Sequence, residues 1–309
     1  MISILMATYN GEKYIEEQLD SLLNQSVQDF EIFIRDDCSN DRTFEILQNY
    51  HQRFPNKIFI EKSEKNSGSA KHTFFSLLLS HKDADYVMLC DQDDVWNPDK
   101  IEITLNEMKK MQQQYGKETP LLVHTDLTVV DSGLKVINPS FKKMLDADYS
   151  RIQLNHLVNQ NTLTGCTAMF NKSLCNLIKE EPKYCVMHDW WIMLVASCFG
   201  HVSSLNTQTI QYRQHSDNSV GVADVKSLKY QIHKMFRADE IRTAINRTYL
   251  QAQCFLDTYS DKLTEDQIEI LKKYVALPQQ PKLQRIRTLF QEDFFKHSFA
   301  RKIAHIIYV

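Results

Sequence analysis

The sequence of 309 residues lacks features that would assign it directly to several protein classes. It has no run of about 18 apolar residues, and His188, Asp189 and His201 interrupt its most hydrophobic window, so we predict no membrane-spanning helix. Its N-terminus has no basic leader and no small-residue cleavage site, which argues against a signal peptide. The formal net charge of -3 provides no overall attraction for nucleic acid.

Motifs of zinc, disulfide and dinucleotide-binding proteins are also missing. The seven cysteines form no CxxC pair, and we interpret them as reduced core thiols of a cytoplasmic protein. The N-terminal loop ATYNGEKY contains no GxGxxG motif and no Walker lysine, which counts against a dinucleotide-binding or P-loop enzyme. With 43% hydrophobic and 24% charged residues, the chain is predicted to form one large globular domain or two modest ones.

The first 130 residues alternate short β-rich runs with helical patterns, which is typical of an α/β fold with a parallel sheet. The predicted strands are Ser3 to Ala7, Phe30 to Arg35, Lys57 to Glu61, Tyr86 to Cys90 and Leu121 to Thr125. Ligands of such sheets bind outside the carboxyl ends of the strands. Polar segments follow four of these ends: TYNGE at 8–12, DDCSND at 36–41, NSGS at 66–69 and DQDD at 91–94.

The segment YVMLCDQDDVW places Asp91, Asp93 and Asp94 directly after an apolar strand. Mg2+ and Mn2+ prefer oxygen ligands and commonly bind substrate phosphates as well. We therefore interpret Asp91 and Asp93 as ligands of a divalent cation that holds a diphosphate. A helix-capping cluster is the alternative, and we assign Asp94 to the turn and to the start of a helix at Asn97-Pro98.

The segment RDDCSNDRT follows another predicted strand. Asp36 and Asp37 can accept hydrogen bonds from a pyrimidine N–H or from ribose hydroxyls, while Ser39 or Asp41 caps the next helix. In the neighbouring loop ATYNGEKY, Gly11 permits a conformation with positive φ. The residues predicted to bind a nucleotide are Thr8, Tyr9, Asn10, Glu12, Asp36, Asp37, Asn66, Gly68, Lys71, Asp91 and Gln92.

The segment VMHDWWIMLVASCFG begins an apolar helical stretch. Asp189 is either a structural N-cap or a catalytic base, because an enclosed carboxylate can have its basicity tuned by its surroundings. Trp190 and Trp191 favour a sugar site, since aromatic faces stack on the C–H faces of pyranose rings. His188 is a candidate contact for a substrate or acceptor.

The segment TIQYRQHSDN places Arg213 and His215 on alternate positions of a predicted strand, so both are expected to project from one face. An arginine and an imidazole there can neutralise a diphosphate or complete a metal shell. Surface charge on an edge strand is the alternative.

Taken together, these motifs resemble those of family-two glycosyltransferases of the GT-A fold. The resemblance rests on ILMATYNGEKYIEEQLDSLLNQSVQDFEIFIRDDCSNDRT, followed by NSG and DQDDVW, and covers residues 1 to about 220. Within the family, the sequence is most similar to bacterial rhamnosyltransferase-like enzymes of cell-surface polysaccharide synthesis. The resemblance implies that Asp37 contacts a uracil or thymine base. It also implies that Asp91 and Asp93 form the metal-binding DxD motif, with Asp93 as the direct ligand.

Further roles implied by the resemblance lie in the second half of the chain. The family places a catalytic base at a helix N-terminus in an E-D pattern, and here His188 replaces the glutamate while Asp189 keeps the aspartate. His215 corresponds to a third metal ligand. The acceptor side would be lined by Thr164, Gly165 and Cys166. A packed strand is the alternative for that segment.

The resulting hypothesis is an inverting, metal-dependent glycosyltransferase in which Asp189 takes the proton of an acceptor hydroxyl and Mg2+ or Mn2+ stabilises the leaving diphosphate. The preferred donor is dTDP-L-rhamnose, and the acceptor is a growing polysaccharide or lipid-linked glycan. UDP-hexoses and UDP-N-acetylhexosamines stay open as donors. A sugar-nucleotide pyrophosphorylase and a non-catalytic nucleotide-sugar-binding protein are the alternative classes. No nucleic acid partner is expected, and a homodimer is one option for the oligomeric state.

Two regions are predicted, a GT-A domain at residues 1–220 and a helical region at 221–309. In the basic segment 278–309, apolar residues recur at helical spacing between six lysines and arginines. Such a segment can lie on an anionic membrane surface or pack against its own domain or a partner. We expect a cytoplasmic protein, either free or peripheral on the inner face of the membrane.

Overall fold

A computed structural model describes residues 1–215 and 238–309. These residues fall into two compact units. The first contains Met1–Phe141, Leu163–Glu181 and residues 200–215, and the second contains Lys142–Thr162, Pro182–Phe199 and residues 238–309. The predicted boundary between residues 220 and 221 lies outside the described residues, so the assignment of two functional domains stays a prediction.

Among the described residues, the first unit contains a sheet of nine strands. The strands are β1 (Ile2–Thr8), β2 (Phe30–Asp36), β3 (Ile58–Lys62), β4 (Tyr86–Cys90), β5 (Val95–Trp96), β6 (Leu121–Val130), β7 (Val136–Asn138), β8 (Ala168–Asn171) and β9 (His201–Arg213). Their order is β3-β2-β1-β4-β8-β6-β9-β5, and β7 pairs with β6. β1 runs parallel to β2 and β4, and β2 runs parallel to β3. The carboxyl ends of these four strands therefore meet at one edge.

The central strands are buried on both faces, which explains their continuous apolar sequences. Ile4, Leu5 and Met6 of β1 are fully buried, as are Val87 and Met88 of β4. β8 interrupts the parallel order because it pairs antiparallel with both β4 and β6. β9 returns parallel to β6 and carries β5 antiparallel at the edge.

Helices connect the strands of the first unit and form most of the second. They are α1 (Ile15–Leu23), α2 (Thr43–Arg53), α3 (Ala70–Ser80), α4 (Lys100–Tyr115), α5 (Phe141–Met144), α6 (Leu154–Leu157), α7 (Lys172–Cys175), α8 (His188–Phe199), α9 (Ala238–Tyr259), α10 (Glu265–Val275), α11 (Lys282–Gln291) and α12 (Phe299–Tyr308). No helix in the described part of the chain combines the length and the apolar character needed to cross a membrane. All seven cysteines are free thiols, as predicted.

The structure confirms the first four predicted strands to within one residue at each end. The fifth is longer than predicted, since β6 continues to Val130. In the segment TGCTAMF the strand begins only at Ala168, because Gly165–Thr167 forms a 3-10 turn. The predicted helix start at Asn97-Pro98 is also displaced, since α4 begins at Lys100.

The second unit has a core rich in aromatic side chains. On α8, the Trp191 ring lies 5.1 Å from the ring centroid of Phe255 on α9. On α10, the Tyr274 ring lies 5.0 Å from that of Tyr249 and 4.9 Å from that of Phe294. Large apolar groups of this kind supply most of the burial that holds a small helical unit together.

Candidate functional site

The loops that follow β1 and β4 are joined by a reciprocal pair of hydrogen bonds. The backbone N–H of Tyr9 donates to Gln92 Oε1 at 2.8 Å, and Gln92 Nε2 donates to the carbonyl oxygen of Tyr9 at 2.9 Å. A Cβ added at Gly11 would lie 2.5 Å from Gln92 Oε1, so the amide packs directly on this glycine. Gly11 does not adopt the positive φ that glycine permits, and the left-handed residue of the loop is Asn10, with φ 49°. A glycine is needed at position 11 because the Gln92 side chain packs too close to its Cα to leave room for a Cβ.

Asp36 uses its carboxylate to hold the loops after β1 and β2 together. It is fully buried, and it accepts hydrogen bonds from the Thr8 hydroxyl at 3.1 Å and from the Ser39 N–H at 3.0 Å. Ser39 Oγ also donates to Asp36, at 2.5 Å, and accepts from the Asn10 N–H at 2.9 Å. These contacts make Asp36 an organiser of the loops, while nucleotide contact stays a prediction.

Asp37 fixes the loop after β3 in the same way. Its carboxylate accepts from the Ser67 N–H at 2.9 and 3.0 Å and from the Ser67 hydroxyl at 2.8 Å. Asn66 Nδ2 donates to the Asp37 carbonyl at 3.0 Å, and Asn66 Oδ1 accepts from the Gly68 N–H at 2.6 Å. Gly68 has φ 68°, a conformation that suits glycine. Asp37 therefore lies at the meeting point of two predicted nucleotide-binding loops.

The remaining residues predicted to bind nucleotide lie at the same edge of the sheet. The backbone N–H of Glu12 donates to Asp41 Oδ2 at 3.1 Å, and the Arg42 N–H donates to Glu12 Oε2 at 2.9 Å. Lys71 is half-buried in the first turn of α3, and Tyr9 is 44% exposed. The structure thus brings the loop residues together, with Tyr9 presenting the open aromatic face among them.

Asp93 and His215 form a direct pair. His215 Nε2 lies 3.0 Å from Asp93 Oδ2, and the His215 ring lies 4.7 Å from the Tyr14 ring, centroid to centroid. Burial raises the pKa of the Asp93 carboxyl, and the hydrogen bond from His215 opposes that shift. Two of the three predicted metal ligands therefore lie within hydrogen-bonding distance of each other.

Asp91 lies in a different group from this pair. Ligand atoms of Asp91, Asp94 and Cys166 all lie within 4.8 Å of one another. Burial raises the pKa of Asp94 well above its usual value, and the charges of Asp93 and Asp91 add to the effect. Asp94 Oδ2 is buried and accepts no well-formed hydrogen bond from the described residues, although the neighbouring Cys166 thiol acts on the Asp94 carboxyl and lowers its pKa. A cation would relieve the crowding of these acids. The carboxylates of Asp91 and Asp93 fit Mg2+ or Mn2+, whereas the imidazole of His215 is not a ligand that Mg2+ prefers. The assignment of Asp91, Asp93 and His215 as metal ligands stays a prediction.

The predicted capping role of Asp94 is wrong. Its Oδ1 accepts from the backbone N–H of Arg213 at 3.1 Å, so it binds the end of β9 instead. The N-cap of α4 is Asp99, which makes no side-chain capping bond. A fully buried carboxylate needs a hydrogen-bond donor inside the protein. The backbone N–H of Arg213 provides one for Asp94.

Arg213 is buried and connects four segments of the first unit. Its Nε donates to the Asp93 carbonyl at 2.8 Å, one terminal nitrogen donates to the Ser132 carbonyl at 2.5 Å, and the other donates to Glu17 Oε2. Its guanidinium carbon lies 4.6 Å from the centroid of the Tyr14 ring. Arg213 and His215 both contact the Tyr14 ring, but β9 ends at Arg213, so His215 lies just beyond the strand on which it was predicted. Since each guanidinium nitrogen already donates to protein, contact of Arg213 with phosphate stays a prediction.

Lys100 is a buried residue near this site that sequence reasoning missed. Its Nζ lies 4.5 Å from the centroid of the Trp96 ring and has no hydrogen-bond partner among the described residues. Burial lowers the pKa of Lys100 to about 8, against the opposing influence of Cys166, Cys90 and Asp94. A lysine in the first turn of an amphipathic helix gives no signal that it lies inside the protein.

The predicted acceptor segment is largely buried. Cys166 is 1% exposed and lies in the group with Asp91, while Gly165 is buried and Thr164 is half-buried. Burial raises the pKa of the Cys166 thiol well above its usual value. Gly165 and Cys166 are therefore packed inside the protein, as the alternative for this segment predicted. Of the three residues, only Thr164 is exposed enough to contact an acceptor.

In the second unit, Asp189 lies in the first turn of α8 and is 9% exposed. Its Oδ1 accepts from the backbone N–H of Trp190 at 2.6 Å. Trp190 Nε1 donates to the Leu157 carbonyl at 2.6 Å, and His188 is also buried. Trp191 is 1% exposed and packs on Phe255, so its ring is a core group and offers no open face to a sugar.

Comparison with known proteins identifies the class to which this fold and these loops belong. Residues 3–116 match the family model of glycosyl transferase family 2. Over 237 residues, the chain is 30% identical to the dTDP-rhamnosyl transferase RfbG of Shigella flexneri, a match that covers 73% of this chain and 76% of that protein. The chain belongs to glycosyl transferase family 2 and is a glycosyltransferase with a GT-A fold.

Other similar proteins match shorter segments or are more distant. The chain is 37% identical to the chondroitin synthase of Escherichia coli over 110 residues, which cover 36% of this chain and 16% of that protein. Among solved structures, S. aureus TarS 1-349 in complex with UDP-GlcNAc superposes with a TM-score of 0.56 at 18% identity, over 95% of this chain and 88% of that chain. The mannosyltransferase PcManGT of Pyrobaculum calidifontis, in complex with GDP-Man and Mn2+, gives a TM-score of 0.50 at 14% identity, over 99% of this chain and 86% of that chain. These two structures share the fold.

Proposed function

We propose that this glycosyltransferase is inverting and metal-dependent, and that it transfers L-rhamnose from dTDP-L-rhamnose to a hydroxyl of a growing cell-surface polysaccharide or lipid-linked glycan. The observation that carries the proposal is the convergence of four polar loops at the carboxyl edge of the sheet, with Asp37 tied to Ser67 and Asp93 tied to His215. The similarity to RfbG, a dTDP-rhamnosyl transferase, supports rhamnose as the sugar. We place the reaction in the cytoplasm.

Each proposed role follows from the chemistry of a side chain. Asp37 would orient the pyrimidine base of the donor, a role supported by its position between the loops after β2 and β3. A divalent cation held by Asp91, Asp93 and His215 would neutralise charge on the leaving diphosphate. Asp189 takes the proton of the acceptor hydroxyl as the oxygen attacks the anomeric carbon from the side opposite the diphosphate. Attack from that side inverts the configuration of the transferred sugar.

A panel of sugar nucleotides tests the donor. Ligands that bind only the folded state raise its unfolding temperature, so dTDP-L-rhamnose with Mn2+ should give the largest rise. UDP-glucose, UDP-galactose, UDP-N-acetylglucosamine and GDP-mannose serve as competing donors. A larger rise with a UDP-sugar would identify that sugar nucleotide, and not dTDP-L-rhamnose, as the donor. The complex of TarS with UDP-GlcNAc is the reason to include UDP-sugars in the panel.

Product analysis tests the reaction class. Release of nucleoside diphosphate from the donor, lost in EDTA and restored by Mn2+, is the expected result. Cys166→Ser should retain the Mn2+ requirement, whereas Asp93→Asn should lose the response to Mn2+, because carboxylate oxygen is the preferred ligand. Formation of nucleoside triphosphate from pyrophosphate would indicate a pyrophosphorylase. A donor-dependent thermal shift without any turnover would indicate a non-catalytic binding protein.

A further inference from the structure

Helix α11 has one face packed inside the second unit and one face exposed. Leu289 is fully buried, whereas Leu283 is 84% exposed and Phe290 is 63% exposed. Positions 283, 287 and 290 lie on one stripe of a helix, so exposed Arg287 lies between the two apolar side chains. This outer stripe is therefore apolar and basic at the same time.

Helix α12 repeats the arrangement. His305 is buried at 2% exposure, while Ile303 and Ile307, one helical turn apart, are 38% and 42% exposed. Lys302 lies beside them, with its Nζ 5.7 Å from the centroid of the Phe295 ring. Each of the two helices therefore has one side packed inside the second unit and another side with exposed apolar residues.

Contacts at both ends hold the two helices side by side. At one end, Lys282 Nζ donates to the Ile307 carbonyl at 2.9 Å. At the other, the Phe290 ring lies 4.9 Å from the Phe295 ring, which in turn contacts Lys302. We name the exposed side chains of Leu283, Phe290, Ile303 and Ile307, with Arg287 and Lys302, the apolar-basic surface.

The basic side chains of this surface belong to a segment with more cations than acids. Residues 278–309 contain six lysines and arginines and two acids, Glu292 and Asp293. Glu292 accepts from Lys273 Nζ at 2.8 Å, and Asp293 accepts from His156 and lies 3.4 Å from Arg151. Both acids therefore lie beside cations outside the segment, and the charge of Asp293 also acts on Lys302. Arg287 is exposed on the outer stripe and supplies positive charge beside Leu283 and Phe290.

We propose that the apolar-basic surface docks on an anionic lipid bilayer. Leu283, Phe290, Ile303 and Ile307 would enter the boundary between headgroups and acyl chains, and Arg287 and Lys302 would lie against anionic headgroups. A second copy of the chain is a poorer occupant, because a two-fold contact would set this positive surface against itself. The inference goes beyond the proposed function and does not depend on the identity of the donor.

Co-flotation of the full chain with vesicles tests the proposal. The protein should bind vesicles of equal parts phosphatidylglycerol and phosphatidylcholine, should not bind phosphatidylcholine alone, and should be released in part by high salt. The double variant Leu283→Ser/Phe290→Ser should bind at least about tenfold more weakly. Arg287→Gln/Lys302→Gln should weaken binding to anionic vesicles as well.

A matched control removes two other exposed apolar side chains from another place. Val136 and Ile137 of β7 are 56% and 57% exposed, so Val136→Ser/Ile137→Ser removes a similar apolar area without touching the proposed surface. This control should bind vesicles like the unmodified protein. All the altered side chains are surface groups, and matching unfolding temperatures would establish that every variant is folded.

Two results would overturn the proposal. Equal vesicle binding by the Leu283→Ser/Phe290→Ser variant and the unmodified protein would show that the apolar-basic surface does not bind lipid. Concentration-dependent dimerisation that this variant abolishes, without vesicle binding, would assign the surface to a second copy of the chain. Release of nucleoside diphosphate in solution, measured on the same variant, should be unchanged. If donor turnover is absent while vesicle binding holds, the proposed function fails and the docking surface stands.

Discussion

At the scale of single residues, Asp189 allows a substitution that separates chemistry from structure. Asparagine has the same size and keeps an oxygen that can accept the hydrogen bond from the Trp190 N–H, but it cannot take a proton at neutral pH. Asp189→Asn should therefore lower the transfer rate by about 100- to 10,000-fold, the usual contribution of base catalysis. Initial rates at saturating donor and acceptor measure the effect.

Donor binding provides the control for this substitution. The thermal shift given by donor and Mn2+ should be the same for Asp189→Asn as for the unmodified protein, because the base acts on the acceptor. Full turnover by the variant would exclude Asp189 as the base. A lost thermal shift would instead indicate that Asp189 supports the fold or the donor site.

Gly11 makes a second prediction at this scale. A methyl group at Gly11 would lie 2.5 Å from Gln92 Oε1 and 2.6 Å from its Cδ, so Gln92 would have to leave Tyr9. Gly11→Ala should lower the unfolding free energy by about 1–3 kcal/mol, since two hydrogen bonds are lost. Donor affinity should fall with it, because the loops after β1 and β4 would separate. Urea unfolding and the donor-dependent thermal shift measure the two effects.

A double-mutant cycle distinguishes this cause from a general loss of stability. In a Gln92→Ala background the side chain that Gly11 accommodates is gone, so adding Gly11→Ala should cost less than in the unmodified protein. Equal costs in both backgrounds would show that Gln92 is not the reason for a glycine at this position.

At the scale of elements, Arg213 is the group that joins β9 to α1, to the loop after β4 and to the turn at Ser132. Its side chain is 2% exposed, whereas that of its ion-pair partner Glu17 is 56% exposed. Arg213→Met should lower the unfolding free energy by about 3 kcal/mol, because buried carbonyl groups lose their donors. Glu17→Gln should cost less than about 1 kcal/mol, since its oxygen faces water. Similar losses for the two variants would contradict the assignment of Arg213 as the joining group.

The elements that could be predicted from sequence are those whose pattern extends over several residues. β1 to β4 are runs of five to seven residues that end in polar loops, and they lie where their apolar content indicates. β5 has two residues and carries no periodicity, so only its pairing with β9 identifies it. Helix starts at polar residues such as Asn97 are ambiguous, because several neighbouring side chains can cap.

The candidate site divides in the same way. The loops at the sheet edge follow from strand direction, which is a local rule. The contact that Arg213 and His215 share with Tyr14 also depends on the course of the chain after β9 ends at Arg213. The approach of Cys166 to Asp91 and the burial of Lys100 depend on how distant segments pack. Sequence spacing contains no information on such contacts, and for this reason the group formed by Asp91, Asp94 and Cys166 could not be predicted from the sequence.

At the scale of the whole molecule, two buried histidines set how stability depends on pH. His305 is 2% exposed, and its Nδ1 lies 3.3 Å from Asn159 Nδ2; His297 Nδ1 accepts from the Asp148 N–H at 2.8 Å. Burial, together with nearby cations, lowers the pKa of His305 to about 3 and that of His297 to about 4. In the unfolded chain, both would take up protons near about pH 6.5.

The direction of this pH dependence follows from the number of protons that the folded and the unfolded chain bind. Below about pH 6.5 the unfolded chain binds protons at these histidines and the folded chain does not, so the unfolding free energy falls as the pH falls. Each histidine contributes a slope of about 1.4 kcal/mol per pH unit until its folded pKa is reached. The contribution is fully present above about pH 6.5 and is lost progressively on the acid side.

Urea unfolding at a series of pH values, on the unmodified protein and on His305→Gln, isolates the contribution of one histidine. Carboxyl groups titrate in the same range, but they titrate equally in both proteins, so the difference between the two curves belongs to His305. That difference should grow by about 1.4 kcal/mol per pH unit below about pH 6.5, with the variant less sensitive to acid. Parallel curves for His305→Gln and the unmodified protein would mean that His305 is protonated in the folded state, which the buried, unpartnered Nε2 of this residue argues against.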